Sequence, residues 1–104
     1  MKANGQQLQV EIDPEGVLWL SGELDMAVMD SFIREASATV DGQRQVILDL
    51  SALTFLDSSG IRAILRFSNI VAERVVVLRS PRENVRQVLS IVGVDGQCGV
   101  HVAG

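Results

Sequence analysis

The fold is decided by the stretch Val46-Ile47-Leu48-Asp49-Leu50-Ser51-Ala52-Leu53-Thr54-Phe55-Leu56-Asp57-Ser58-Ser59-Gly60. Its first five residues form an almost continuous apolar run, which predicts a central β-strand covered on both faces. We expect residues 51–56 to form a loop. From Asp57 onward, apolar residues return at helical spacing, so a helix should begin in the segment 57–60. A buried strand that leads into a helix is typical of an α/β sheet.

The segments on either side continue this alternation of strand and helix periodicity. The predicted elements are, in order, a hairpin of strands at 8–12 and 17–20, a helix at 25–40, the strand at 46–50, a helix from Asp57, a strand at 74–78, a helix from Ser80 and an edge strand at 100–102. The order β-β-α-β-α-β-α-β predicts an α/β domain with a mainly parallel central sheet and an N-terminal β-hairpin.

Polar residues are predicted to set the helix ends. Asp25 is expected as an N-cap, and the pair Asp41-Gly42 as a C-terminal stop. Ser80 is expected to cap the last helix, because Pro81 follows at the first helical position and Glu83 comes three residues after the cap.

Length and composition describe one domain that spans residues 1–104. With 47% apolar residues in a chain of 104, a normal core can form without disulfides or a structural metal. We expect Trp19 and Met26 to pack in that core. The chain is therefore a single module, and its function must be carried by one core and its surface.

The residue types exclude several classes of function. Cys98 is the only cysteine, which fits a reducing compartment, so we expect a cytoplasmic protein. With a single histidine besides, we expect no metal site, no cofactor and no enzyme activity. The net charge of −4 and the lack of a basic stripe argue against nucleic acid as a partner. Charged residues and glycines interrupt every apolar segment, so neither a membrane span nor a signal peptide is expected.

The segment Asp57-Ser58-Ser59-Gly60 lies where functional sites of α/β sheets collect, at the carboxyl end of a central strand and the start of a helix. A simpler interpretation is that Asp57 or Ser58 is only an N-cap. A serine hydrolase would require glycine on both sides of the nucleophile and a histidine base, but Leu56 stands at the first glycine position. A phosphate-binding loop would require more glycines and a lysine.

Two motifs together resemble the STAS domain family, and specifically the bacterial anti-sigma factor antagonists. One is the stretch from Val46 to Ile61 that contains Asp57-Ser58-Ser59-Gly60, and the other is Leu20-Ser21-Gly22-Glu23-Leu24-Asp25. The resemblance implies a STAS-like α/β fold and a protein that works by binding. In this family the antagonist captures an anti-sigma factor, which is also a serine kinase, and so frees a sigma factor. The kinase phosphorylates the antagonist, and a PP2C-type phosphatase reverses the modification.

The resemblance also implies roles for individual residues. Ser58 matches the phosphorylated serine, Asp57 the neighbouring carboxylate that presents it, and Ser59 a secondary position. The residues expected to contact the partner are Glu23, Asp25, Asp57, Ser59, Gly60 and Arg62. Arg62 lies four residues after Ser58, on the same side of a helix, so it either pairs with phosphorylated Ser58 or with an acidic group of the partner, or is a solvated surface arginine. The alternative function is that of a STAS subunit in a lipid-transport ATPase or a stress-signalling assembly, without a phosphorylation cycle.

Overall fold

Strands and helices alternate along the chain in the order that the sequence predicts. The computed structural model describes residues 7–40, 45–71, 74–96 and 99–104. The strands are β1 (Gln9–Ile12), β2 (Leu18–Leu24), β3 (Gln45–Leu56), β4 (Val75–Arg79) and β5 (Val100–Ala103). The helices are α1 (Met29–Thr39), α2 (Ser58–Ile70) and α3 (Glu83–Val92), and a 3-10 turn at Met26–Val28 precedes α1. The predicted fold class is confirmed.

The strands lie in the sheet in their sequence order, β1-β2-β3-β4-β5. β1 and β2 form the predicted antiparallel hairpin, and the remaining neighbours are parallel. The Asp13 side chain organises the hairpin turn, because its Oδ1 accepts hydrogen bonds from the amides of Glu15 and Val17, both at 2.9 Å. An Asp that bonds the backbone two residues on is a common turn-forming device.

One face of the sheet carries the core. Crossovers between parallel strands are right-handed, so a strand order that always advances in one direction places every crossover helix on the same face. Burial agrees: Leu18, Val46 and Leu48 are fully buried, whereas their neighbours Trp19 and Ile47 are partly exposed. On the opposite face Asp49 is buried beside Arg79 but Ile47 is partly exposed, so the predicted cover of residues 46–50 on both faces is wrong at Ile47. The core joins the face that carries Leu18 to all three helices. The rings of Phe32 in α1 and Phe67 in α2 pack against each other, with 5.7 Å between their centroids.

Trp19 lies on the opposite face of the sheet, so its predicted place in the core is wrong. Its indole Nε1 donates a hydrogen bond to Asp13 Oδ2 at 2.8 Å. The Arg79 guanidinium lies over the ring, 5.2 Å from the centroid, at a distance typical of a cation–π contact. Arg79 Nε in turn donates to Asp49 Oδ2 at 2.7 Å. Polar contacts therefore surround Trp19 on the face of the sheet opposite α1, α2 and α3, where the sequence predicted apolar packing.

β3 continues to Leu56, so the predicted loop at 51–56 is a strand. Its pairing with β2 shifts twice, first between Trp19 and Ser21 and again between Gly22 and Glu23. At each shift β3 holds one residue more than β2: Leu50 and Ser51 together lie opposite Leu20 at the first, and Thr54 is the extra residue at the second. Two such β-bulges change the burial period of β3 from two to three, so that Leu50, Leu53 and Leu56 face the core.

The structure confirms that Asp25 is an N-cap but not that Ser80 is one. Asp25 is an N-cap, but of the 3-10 turn before α1, where its side chain accepts from the Ala27 amide. Ser80 is not a cap: its φ is +56°, its amide donates to the Ala103 carbonyl at 2.8 Å, and α3 begins only at Glu83. The contact with β5 therefore outweighs the local capping preference. Asp41-Gly42 and Cys98 lie outside the described residues.

Candidate functional site

Two aspartates stand side by side at one end of the sheet. β2 and β3 end at Leu24 and Leu56, which are register partners, and Asp25 and Asp57 follow them directly. Asp25 Oδ1 accepts a hydrogen bond from the Ala27 amide at 3.0 Å, and Asp57 Oδ1 accepts one from the Gly60 amide at 2.9 Å. Each carboxylate thus caps the turn that follows its strand, as the simpler interpretation of Asp57 predicted.

Ser58 is the first residue of α2 and is exposed to solvent, whereas Ser59 is partly buried. The Asp57 cap satisfies the amide of Gly60, and the Ile61 amide bonds the Asp57 carbonyl at 3.0 Å. The amino end of a helix favours negative charge. A group attached to the Ser58 hydroxyl would therefore project into solvent from a place where the backbone tolerates an anion.

Gly60 is buried where α2 passes over the end of β2. A Cβ on this residue would lie 2.5 Å from the Leu24 carbonyl oxygen and 2.5 Å from Leu56 Cδ1. Only glycine allows this approach, because a side chain would overlap both atoms. The backbone contact fixes the start of α2, and Ser58 with it, against the ends of both strands.

Glu23 and Arg62 belong to the same end of the molecule. Glu23 is partly buried in β2, where it pairs with Phe55 of β3, and Arg62 is exposed on α2, four residues after Ser58. The structure thus brings all seven residues expected at the site to one end of the sheet. They are Glu23, Asp25, Asp57, Ser58, Ser59, Gly60 and Arg62. What each of them contacts in a partner remains a prediction.

Two apolar side chains at this end were missed by the sequence reasoning. Met26 is 71% exposed and Phe55 is 42% exposed. Met26 was expected in the core, but the 3-10 turn after Asp25 contributes no buried residue. Phe55 lies outside the core because the second bulge places Leu53 and Leu56 there instead. Met and Phe are among the residue types that are enriched in protein interfaces.

Arg82 and Asn84 are further residues that the sequence did not connect with this end of the sheet. Arg82 Nε donates to the Ser51 carbonyl at 2.9 Å, and Asn84 Nδ2 donates to the Thr54 carbonyl at 3.0 Å. About 30 residues separate each pair in the chain, so no local pattern could reveal the contact.

Neither a metal centre nor a membrane-spanning helix is found among the residues that the structure describes. No group of three or more His, Cys, Asp or Glu side chains is arranged there to hold a metal ion. No helix in the described ranges is both long and apolar enough to cross a membrane. His101, the only histidine, lies on β5, two strands away from β3, and pairs with Val77 of β4.

Comparisons with known proteins agree with the two-motif resemblance. The STAS domain family matches residues 7–101. A Bordetella bronchiseptica protein named as an anti-sigma factor antagonist, BtrV, is 32% identical over 90 residues, which cover 80% of this chain and 74% of BtrV.

Solved structures show the same fold. The anti-sigma factor antagonist SpoIIAA in its unphosphorylated form is similar with a TM-score of 0.64 at 25% identity, over 94% of this chain and 89% of the other. The phosphorylated form of the Bacillus cell fate determinant SpoIIAA is similar with a TM-score of 0.57 at 24% identity, over 94% of this chain and 92% of the other.

Proposed function

This chain belongs to the STAS domain family, and from that premise we propose that it is a cytoplasmic anti-sigma factor antagonist switched by phosphorylation of Ser58. In its unphosphorylated form it binds an anti-sigma factor and frees a sigma factor. The anti-sigma factor is itself the serine kinase that modifies Ser58, and a PP2C-type phosphatase removes the phosphate. The chain needs no catalytic activity of its own for this cycle.

One observation carries the proposal: Ser58 is exposed at the first position of α2, directly after a capping aspartate and at the end of the sheet where two apolar side chains are also exposed. The hydroxyl can therefore enter the active site of a kinase while the surrounding surface binds the same protein. BtrV and SpoIIAA support the assignment, since both are named as anti-sigma factor antagonists and SpoIIAA is also known in a phosphorylated form.

The switch acts by local charge. Phosphorylation adds roughly −1.5 to −2 charge at neutral pH, at a helix start where the dipole favours it, so the fold need not change. The partner surface, in contrast, must then accept a dianion beside the Asp57 carboxylate. Burying like charges together costs several kcal/mol, which corresponds to roughly a thousandfold loss of affinity.

The apolar part of the interface is supplied by Met26 and Phe55. Both lie at the end of the sheet where Ser58 begins α2, and both are exposed in the free chain. Burying a large apolar side chain contributes about 1.5–3 kcal/mol. Ser58 therefore controls an interface whose affinity comes largely from its neighbours.

Arg62 contributes to the phosphorylated state. It lies one helical turn after Ser58, within reach of a phosphate on that residue. Pairing of the guanidinium with the phosphate would shield the modified site from the phosphatase. The alternative, a contact with an acidic group of the partner, predicts instead that Arg62→Ala weakens binding of the unphosphorylated chain.

The proposal is tested with a bait that cannot be phosphorylated. Ser58→Ala should retain an anti-sigma factor from cell extract, and that protein with ATP should add one phosphate to the wild-type chain by intact-mass measurement. Ser59→Ala, the matched control, should still gain the phosphate. An unmodified wild type, or an equal mass gain on Ser58→Ala, would overturn the switch. Recovery of transporter or stress-signalling subunits instead would favour another STAS client.

A further inference from the structure

Arg82 and Asn84 bind β3 at the two residues where it bulges. Arg82 Nε donates to the carbonyl of Ser51, and Asn84 Nδ2 donates to the carbonyl of Thr54. At the first bulge Leu50 and Ser51 together lie opposite Leu20, and at the second Thr54 is the residue that β3 holds in excess of β2. A bulge interrupts the strand ladder, so a carbonyl within it requires a partner from elsewhere.

β4 does not supply those partners. Its pairing with β3 ends at Asp49 and Arg79, whereas β3 runs on to Leu56. Beyond Asp49, β3 pairs with β2 along one edge, and Arg82, which precedes α3, and Asn84, in its first turn, lie along the other. Arg82 and Asn84 therefore provide the hydrogen bonds that a neighbouring strand would provide in a regular sheet.

Thr54 is held from both sides. Its hydroxyl donates to the Gly22 carbonyl of β2 at 3.0 Å, and its own carbonyl accepts from Asn84 at 3.0 Å. Asp57 follows three residues later, and Ser58 begins α2. A shift of Thr54 along the open edge of β3 would thus move the start of the helix that carries the Ser58 hydroxyl.

We infer that Arg82 and Asn84 are positioning residues for Ser58: their hydrogen bonds hold the bulged end of β3 where phosphoryl transfer from ATP to the Ser58 hydroxyl requires it. The inference rests on the proposed function. In that transfer the bond between Ser58 Oγ and the γ-phosphorus forms, and the bond from that phosphorus to the bridging oxygen breaks. ADP leaves with the bonding pair, and the hydroxyl proton passes to a base of the kinase. Small displacements of a reacting group lower such rates strongly.

The first experiment measures amide hydrogen exchange of the full chain by mass spectrometry. Asn84→Ala removes the donor, and Asn84→Asp places an oxygen against the Thr54 carbonyl while its charge suits the start of α3. Exchange over residues 52–57 should rise about three- to tenfold, because the lost bond eases local opening. Gln87→Ala and Gln87→Glu, at an exposed residue of the same helix, are matched controls that should leave this exchange unchanged.

The second experiment measures phosphorylation kinetics with the anti-sigma kinase that modifies the wild-type chain. Mispositioning of Ser58 should lower kcat about fivefold in Asn84→Ala and Arg82→Ala, with KM for the chain changed less than twofold. A loss of stability alone would leave both kcat and KM unchanged, because nearly all of the chain would still be folded. Arg82→Lys keeps a donor near Ser51 and should restore most of the rate.

The results separate failure of the inference from failure of the proposed function. Unchanged exchange in both Asn84 variants overturns the inference, and so does raised exchange with an unchanged kcat. A raised KM at constant kcat would mean that these residues contact the kinase directly, which also overturns it. A wild-type chain that accepts no phosphate overturns the proposed function, while the exchange data still decide whether Arg82 and Asn84 hold β3.

Discussion

Gly60 and Leu24 are in backbone contact: a Cβ on Gly60 would lie 2.5 Å from the Leu24 carbonyl oxygen. The first turn of α2 therefore rests on the end of β2 without an intervening side chain. The Leu56 side chain of β3 packs against Gly60 at the same place. The position of Ser58 is therefore set by packing of the strands against α2 and does not depend on a flexible loop.

Gly60→Ala should destabilise the fold despite the higher helix propensity of alanine. Overpacking of this kind costs about 1–3 kcal/mol, and the propensity gain offsets up to about 1 kcal/mol of it. Urea unfolding measures the difference. Asn69→Ala, at an exposed position of α2, brings a propensity gain without the overlap and should be neutral or stabilising. A Gly60→Ala variant as stable as wild type would show that the two strand ends can move apart.

The capping role of Asp57 can be separated from its charge. Asp57→Ala loses the bond to the Gly60 amide and should lower the free energy of unfolding by about 1 kcal/mol. Asp57→Asn keeps an oxygen acceptor and should stay within about 0.5 kcal/mol of wild type. Equal stability of all three proteins in urea would mean that the cap contributes nothing.

Truncation of Met26 and Phe55 should weaken binding of the anti-sigma factor without weakening the fold. Each change to alanine removes a side chain that is largely exposed in the free chain and, by our proposal, buried in the complex. We expect a loss of about 1–3 kcal/mol per residue, or roughly five- to 150-fold in Kd, by titration calorimetry. Ile91→Ala, 85% exposed on α3, is the control and should leave Kd unchanged. An unaltered Kd for both site variants would place the interface elsewhere.

Asp49 should make stability depend on acid pH. Burial would raise the pKa of this carboxyl, but hydrogen bonds from Ser51 and the ion pair with Arg79 outweigh burial and hold the pKa below its usual 3.8. A lowered pKa in the folded state contributes stability that is complete above the unfolded pKa and is lost as pH falls through the folded value.

The corresponding comparison is urea unfolding of wild type and Asp49→Asn from neutral to acid pH. The variant should be less stable by about 1–2 kcal/mol at pH 7. This difference in the free energy of unfolding should shrink as the pH falls below about 4. Glu35→Gln, an exposed carboxylate of α1, controls for net charge. A gap that persists at the lowest pH would assign the effect to packing and not to ionisation.

The element order was predictable because most segments keep one period throughout. Residues 51–56 were not, because the apolar period of three at Leu50, Leu53 and Leu56 matches neither a strand nor a helix, and two bulges produce it. Ser80 and Pro81 suggested a helix start from local preference alone, and contact with Ala103 overrode it.

The part of the candidate site that consists of residues adjacent in the sequence was predictable. Asp25 and Asp57 each follow an apolar strand, and adjacent parallel strands end at the same edge of a sheet. The roles of Met26, Phe55 and Asn84 depend on a 3-10 turn, a bulge and a contact between distant residues. Such features arise from tertiary packing, and the hydrophobic periodicity of the sequence does not reveal them.

Trp19 gives the molecule a built-in optical probe. It is the only tryptophan in the chain, and its indole lies against Arg79 and Asp13 on the face of the sheet opposite α1, α2 and α3. Leu24 lies five positions further along β2, a distance of about 16 Å along an extended strand. Its emission should therefore follow global unfolding and the ionisation of the neighbouring carboxylates, and should change little when a partner covers Ser58.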